Sequence, residues 1–221
     1  MATNAAPAAR RSAGRPPRKV LSQSLITSAA VKLINAEGYP GLTMAALARS
    51  LNVAPSALYN HVESKQDVLQ WVEDHVMTMV DVSGFAAEPW AEAVRRWAWS
   101  YRDVFARHAP LIPVIAVLPV TGAPETLKMY EVVTAGFRES GWPEPLIVPA
   151  IIALESFIYG SAFDATAPAD IFDTGDLAES TPLFTSAVRN QQLGDGATPA
   201  DVAFGLGLDA MIAGLDRLRE A

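Results

Sequence analysis

An all-α chain, with an N-terminal three-helix helix-turn-helix unit and a larger helical C-terminal part, is the fold that three observations in this sequence predict. Apolar residues recur at helical spacing, as in Leu25, Ile26, Ala29, Leu33 and Ile34. Alternating patterns of the kind that builds strands are scarce. Helix caps and a sharp turn punctuate residues 42–66, LTMAALARSLNVAPSALYNHVESKQ, so that two short helices and the start of a further one fit between them.

Residues 1–20 are rich in Ala, Pro and Arg and lack a core pattern, which predicts a flexible basic arm. A helix is expected over 23–37, capped by Ser22 and closed by Gly38, which suits the left-handed residue after a helix end. Thr43 is placed to cap a helix over 44–50. The turn follows at Leu51-Asn52-Val53, with Asn52 as the pivot because Asn tolerates positive φ. Pro55 fits the first position of a helix through about residue 60, and Ser64 caps the next, to about residue 82. Beyond Pro89 the pattern predicts helices over 90–107, 111–118, 124–140, 145–163 and 200–220. Residues 165–199 read mostly as loop, with one short helix over 183–191. The expected organisation is an arm (1–20), a helix-turn-helix unit (21–66) and a larger helical domain (67–221).

Charge is distributed unevenly. Residues 1–65 hold eight Lys/Arg against two acids, net +6, while the remainder is net −13. A polyanion is attracted to the first third and repelled by the rest. The chain has no cysteine and three histidines, which excludes disulfides and thiolate chemistry and leaves little for a zinc site. No metal or cofactor is expected. The longest apolar run, residues 111–120, is interrupted by Pro113 and Pro119 and falls short of the about 20 residues that span a bilayer. The expectation is a cytoplasmic protein with no membrane contact. No Gly-rich phosphate loop, HExxH or GxSxG is present, so an enzyme is not expected.

A helix-turn-helix needs small residues where its helices touch, and Ala45, Ala46 and Ala48 supply them. Its second helix must offer polar groups to bases and phosphates. Pro55, Ser56, Ala57, Tyr59, Asn60 and His61 are the candidates. Hydroxyls donate to phosphate, Asn pairs with adenine, and the Ala57 methyl can meet a thymine methyl. Thr43 and Lys65, at helix starts, are expected to hold phosphates. Arg10, Arg11, Arg15, Arg18 and Lys19 of the arm can follow the backbone or enter a minor groove.

These residues resemble the DNA-binding domain of the TetR family of bacterial transcriptional regulators. The matching elements are LTMAALARSLNV and ALYNHVESKQDVL after a helix ending in EGYPG, over about residues 21–82. Asn52 stands where glycine is commonest, Ala54 where a capping Ser is common, and Val62 where Phe is frequent, as in the tetracycline-repressor branch. HAPLIPVIA, GFRESGW and FGLGLDAMIAGLDRL resemble the C-terminal domain of that branch. The resemblance implies a homodimer whose last long helices form an intersubunit four-helix bundle.

The residues add their own support. Phe204, Leu208, Met211, Leu215 and Leu218 form an apolar stripe beside Gly207, Ala210 and Gly214, and with Ile151 are the expected dimerisation residues. Aromatics with polar tips suit a mostly apolar small-molecule pocket. Trp97, Tyr101, Phe105, His108 and Tyr130 are candidates, with Glu155, Phe157 and Phe163 from the helix IIALESFIYGSAF. Ordinary core packing accounts equally well for any one of these aromatics. Glu155, inside an apolar helix, needs a partner or an altered pKa. The expected function is a ligand-responsive homodimeric regulator, in this family usually a repressor, binding a palindromic double-stranded operator and released by a small effector. The alternative is a DNA-binding regulator controlled by a protein partner.

Overall fold

The computed structural model describes residues 21–194 and 196–219, and it is helical, with no strand among them. Helix α1 (Gln23–Gly41) begins on Ser22, whose Oγ accepts the Leu25 N–H at 3.2 Å. Gly38 takes φ +70° and kinks the helix, so that the last turn carries Pro40. Helix α2 (Met44–Leu51) begins on Thr43, whose hydroxyl accepts the Ala46 N–H at 3.0 Å. It ends on Asn52 at φ 55°, ψ 47°, the left-handed conformation that turns the chain. Helix α3 (Pro55–Leu58) follows with Pro55 in its first turn and no side-chain cap from Ala54. Helix α4 (Lys65–Met77) has a reciprocal cap: Ser64 Oγ accepts from Asp67 N–H, and Asp67 Oδ2 accepts from the Ser64 and Glu63 N–H groups at 3.0 Å each.

Three helix expectations change. Helix α3 stops at Leu58, and His61 N–H closes a tight turn on the Leu58 carbonyl at 2.8 Å. Helix α4 stops at Met77, well before residue 82. Thr78 Oγ1 donates to the His75 carbonyl at 2.7 Å where the helix ends, and a 3₁₀ turn over Ser83–Ala86 follows, with Asp81 Oδ1 accepting the Ser83 N–H at 2.9 Å. The helix expected over 111–118 divides into a 3₁₀ turn at Ala109–Leu111 and a single turn of helix α6 (Ile112–Ile115).

The C-terminal part is built on α5 (Trp90–Ala106), α7 (Pro124–Glu139), α8 (Glu144–Asp164) and α10 (Pro199–Arg219), with a short α9 (Pro182–Arg189) in the long connection before α10. Helix α5 packs along α8, and α10 lies against both. Trp97, Tyr101, Phe105, Phe137 and Phe204 are the largest side chains sealed in this core. Buried Arg102 locks three helices together. It pairs with Asp201 at 2.8 Å, donates to Ser161 Oγ at 2.9 Å, and lies over the rings of Trp99 and Phe204.

Helix α8 is long and apolar enough to cross a membrane by length and composition, a feature missed by attending to residues 111–120. Its inner face, Ile147, Ile151, Leu154 and Ile158, is buried in the protein core. Its outer face leaves Val148, Ile152 and Phe163 exposed. Beside it, α10 exposes Val202, Leu206 and Leu218.

Candidate functional site

The helix-turn-helix buries Leu47, Ala48, Leu58 and Val62 and turns its polar residues outward. Ala45 is exposed, so Ala46 and Ala48 alone are the small residues at the contact. Pro55, Ser56, Tyr59, Asn60 and His61 are all exposed around α3 and the turn after it, and Ala57 is half-buried. Tyr59 is 54% exposed, a large ring left in water with no ring contact or hydroxyl partner. Thr43 is also exposed; its oxygen accepts within the cap, which leaves its proton to donate outward. Lys65 is committed differently from the expectation. Its Nζ sits 3.6 Å from the centre of the Tyr39 ring and 3.4 Å from the Tyr39 carbonyl, tying α4 to the end of α1. The Glu63 and Ser64 N–H groups, at the start of α4, are held by Asp67. Arg10, Arg11, Arg15, Arg18 and Lys19 lie outside the described residues.

The second candidate site lies inside the C-terminal core. Tyr101 and Tyr130 donate to Glu155 Oε1 at 3.2 and 2.8 Å, and the Tyr101 and Tyr159 hydroxyls are 2.7 Å apart. Trp97, Tyr101, Phe105 and Tyr159 meet in a chain of ring contacts, centroids 5.0–5.6 Å apart. Burial raises the pKa of Glu155 while the two tyrosine hydrogen bonds oppose that rise. Burial likewise pushes Tyr101, Tyr130 and Tyr159 above the usual phenol range, with the Glu155 charge adding to it.

Six expected residues are placed elsewhere. His108 Nδ1 lies 2.9 Å from the Asn35 amide nitrogen, a bond between α1 and the turn before α6. Burial first, then Arg107 and His75, lowers its pKa. Phe163 is 61% exposed near the end of α8, where its position in the helix turns it outward. Phe157 stacks on Phe204 at 5.3 Å and lies over Gly207, where any Cβ would come within 2.5 Å of the ring. Phe204, Leu208 and Ile151, expected at a dimer face, are buried in the protomer, while Met211 and Leu215 are half-buried. Of that stripe only Leu218 is exposed, because α10 is apolar on two sides and uses this one for the core.

Glu73 was not anticipated. It lies on α4 among the buried Val68, Leu69, Val72, Val76 and Met77, 2% exposed, and its Oε2 has no hydrogen-bond partner. An acid on the apolar stripe of its helix is the signal that marked Glu155, and it was readable here too. Burial first, then the charges of Asp74 and Glu155, pushes its pKa up to about 7. Asp74, the next residue, accepts the Glu125 and Thr126 N–H groups at 2.6 and 3.0 Å and so caps α7. Gln70 donates to the Thr121 carbonyl at 2.8 Å. Helix α4 therefore touches the helix-turn-helix at one end and the polar core at the other. No cluster of His, Cys, Asp and Glu among the described residues is arranged to hold a metal ion.

Comparison with known proteins agrees with this layout. Residues 26–72 match the family model of bacterial regulatory proteins of the tetR family, and residues 86–219 match the tetracyclin repressor-like C-terminal domain. The HTH-type transcriptional repressor DrrR1 of Streptomyces coeruleorubidus is 28% identical over 153 residues, 69% of this chain but 56% of DrrR1, so the match spans little more than half of that repressor. The class G tetracycline repressor of Vibrio anguillarum is 29% identical over 91% of this chain and 96% of its own length. Among solved structures, the TetR family protein ActR of Streptomyces coelicolor, in complex with actinorhodin, superposes with a TM-score of 0.72 at 28% identity, covering 91% of this chain and 99% of ActR. With its C-terminal match alone spanning more than half of its length, the chain belongs to the tetR family of bacterial regulatory proteins.

Proposed function

We propose that this protein is a homodimeric transcriptional repressor that binds a palindromic operator and leaves it when a small molecule enters the C-terminal core. The observation that carries DNA binding is the exposed set Ser56, Tyr59, Asn60 and His61, held between helices α2 and α4 that Thr43 and Ser64 cap. Among the described residues no side-chain bond uses these groups, and their chemistry suits phosphate and base edges. The exposed apolar residues of α8 and α10 support pairing of two copies through those helices. A dimer places two recognition segments in successive major grooves about 34–36 Å apart.

Release follows from α4. Its start is tied to α1 through Lys65 and Tyr39, and its middle presents Glu73 to the polar core while Asp74 holds α7. An occupant of that core that favours another α4 position changes the spacing of the recognition segments and shifts the population away from DNA. DNA of random sequence, selected by binding to the full-length protein, provides the test. The expected product is a near-palindrome bound by two chains, with affinity falling steeply as salt rises. Recovery of no sequence preference would remove the operator reading.

A further inference from the structure

Two carboxylates lie buried in the C-terminal core with no cation beside them. Glu73 is 2% exposed with Oε2 unpartnered, and Glu155 is 9% exposed with Oε1 taken by two tyrosine hydroxyls. Glu155 is close enough for its charge to raise the pKa of Glu73, and Glu73 acts on Tyr130 and Tyr159 as well. The charges that bear on Glu73 come from Asp74 and Glu155, both acidic. The nearby arginines of α5 are engaged elsewhere: Arg95 with Asp209, Arg96 with Glu88, and Arg102 with Asp201. Trp97 Nε1, in the same aromatic cluster, is a further buried polar atom with no partner.

A buried carboxylate without a partner is costly, and glutamine or a hydrophobic residue of similar size would pack there at less cost. A neutral apolar occupant leaves that cost in place. A cation that also donates hydrogen bonds removes it, because the attraction to both acids grows in a medium from which water is excluded. Trp97, Tyr101 and Tyr159 are ring neighbours in the same cluster, and aromatic rings of this kind can attract a cation.

We propose that this cluster is a binding site for an organic cation, a protonated amine on an aromatic or apolar frame, with its nitrogen held by Glu73 and by Glu155 with its tyrosines. The inference rests on the effector reading above for the site's role and adds the charge class of what it takes. Glu73 carries the consequence, since it sits between Gln70 and Asp74, the two residues that tie α4 to the start of α7. Near neutral pH Glu73 is partly protonated, so uptake of a cation expels proton to the buffer.

The test uses the full-length protein with a matched pair of fluorescent probes: dansylcadaverine, whose amine is charged, and its N-acetyl derivative, which is neutral. The expected result is binding of the amine about tenfold tighter or more than the acetyl form. Glu73→Gln and Glu155→Gln, both close in shape to the original side chains, should each reduce that preference, read as the ratio of the two affinities. Calorimetry in buffers of different ionisation enthalpy should show release of about half a proton per amine bound at pH 7. Equal affinity for the two probes, no binding of either up to about 1 mM, or a preference that survives both substitutions overturns the cation site. Operator binding measured with the same probes is a separate reading. An amine bound with the predicted preference that leaves DNA affinity unchanged supports the cation site and defeats only the release mechanism.

Discussion

The helix-turn-helix unit and the C-terminal core distribute polarity in opposite ways. In the first, the buried side chains are apolar apart from Thr27, which bonds the Gln23 carbonyl, and the polar groups stand outside with nothing to do. In the second, Glu73, Arg102, Thr126 and Glu155 are inside, while Val148, Ile152, Leu206 and Leu218 face water. A domain that satisfies itself and leaves polar groups exposed is complete until a polar surface arrives. A domain with polar groups sealed in and apolar groups outside is complete only with an occupant and a partner. The family match falls on both units, residues 26–72 and 86–219.

The outer apolar face offers the largest test of that contrast. Ile152 and Leu206 are 56% and 75% exposed, so an Asp at either position costs the lone protomer little. In a dimer built on α8 and α10, each protomer carries the change and two unpaired charges enter the interface. Ile152→Asp or Leu206→Asp should give a monomer in sedimentation. Operator affinity should fall about 100-fold or more, because each half-site then binds alone. A variant that remains dimeric would place the interface elsewhere.

The buried acid gives the next effect, and its sign is definite. Folding raises the Glu73 pKa from 4.5 to about 7, so the native chain holds a proton that the unfolded chain has already lost. Stability is therefore greatest below the unfolded value and falls as pH rises through the window between the two. The loss is on the order of 3 kcal/mol once the pH exceeds both values. Denaturant unfolding across that window should show this slope in the wild type and a flatter one in Glu73→Gln, which should be the more stable protein in mild alkali. An unchanged slope in the variant would mean that Glu73 reaches water.

On the output side, Tyr59→Ala removes a ring that the fold does not use. Stability should stay within about 0.5 kcal/mol, while operator affinity drops roughly tenfold. Electrophoretic mobility shift with a selected operator measures the second number. Intact affinity would mean that the recognition surface is drawn wrongly.

Local signals in the sequence translate well into this structure, and non-local ones do not. Ser22, Thr43 and Ser64 cap as their spacing predicts, and Asn52 takes the left-handed turn, because each depends on a few neighbouring residues. The early end of α4 falls at Thr78, whose hydroxyl turns back to the His75 carbonyl, a choice that apolar periodicity does not register. The apolar stripe of α10 was real, but an amphipathic pattern says only that a face is buried. Whether Phe204 meets its own chain or a second copy is decided by Trp99 and Phe157 on other helices. His108 was read as a pocket residue because its partner, Asn35, lies far away in sequence. Glu155 stood out in an almost uncharged helix, whereas Glu73 was hidden among the other charges of α4.

The smallest of the expected effects tests the turn itself. Asn52, at φ 55°, is the only described residue other than glycine with positive φ, and it makes the bend that brings α3 beneath α2. Its backbone N–H bonds the Arg49 carbonyl at 3.0 Å, and the next N–H, of Val53, reaches the Ala48 carbonyl at 3.0 Å. Both bonds are made by the backbone, so substitution leaves them available and changes only the cost of the left-handed conformation. Asn52→Ala should destabilise the protein by about 1 kcal/mol, while Asn52→Gly should be neutral or stabilising by a few tenths, about what the freedom of glycine allows at positive φ. Thermal unfolding of the two variants side by side checks the order. A reversed order would mean that the Asn side chain contributes through its own contacts rather than through its tolerance of the turn. DNA affinity should follow stability only weakly here, since Asn52 lies in the turn behind Ser56 and Tyr59 and the geometry of the recognition segment survives in both variants.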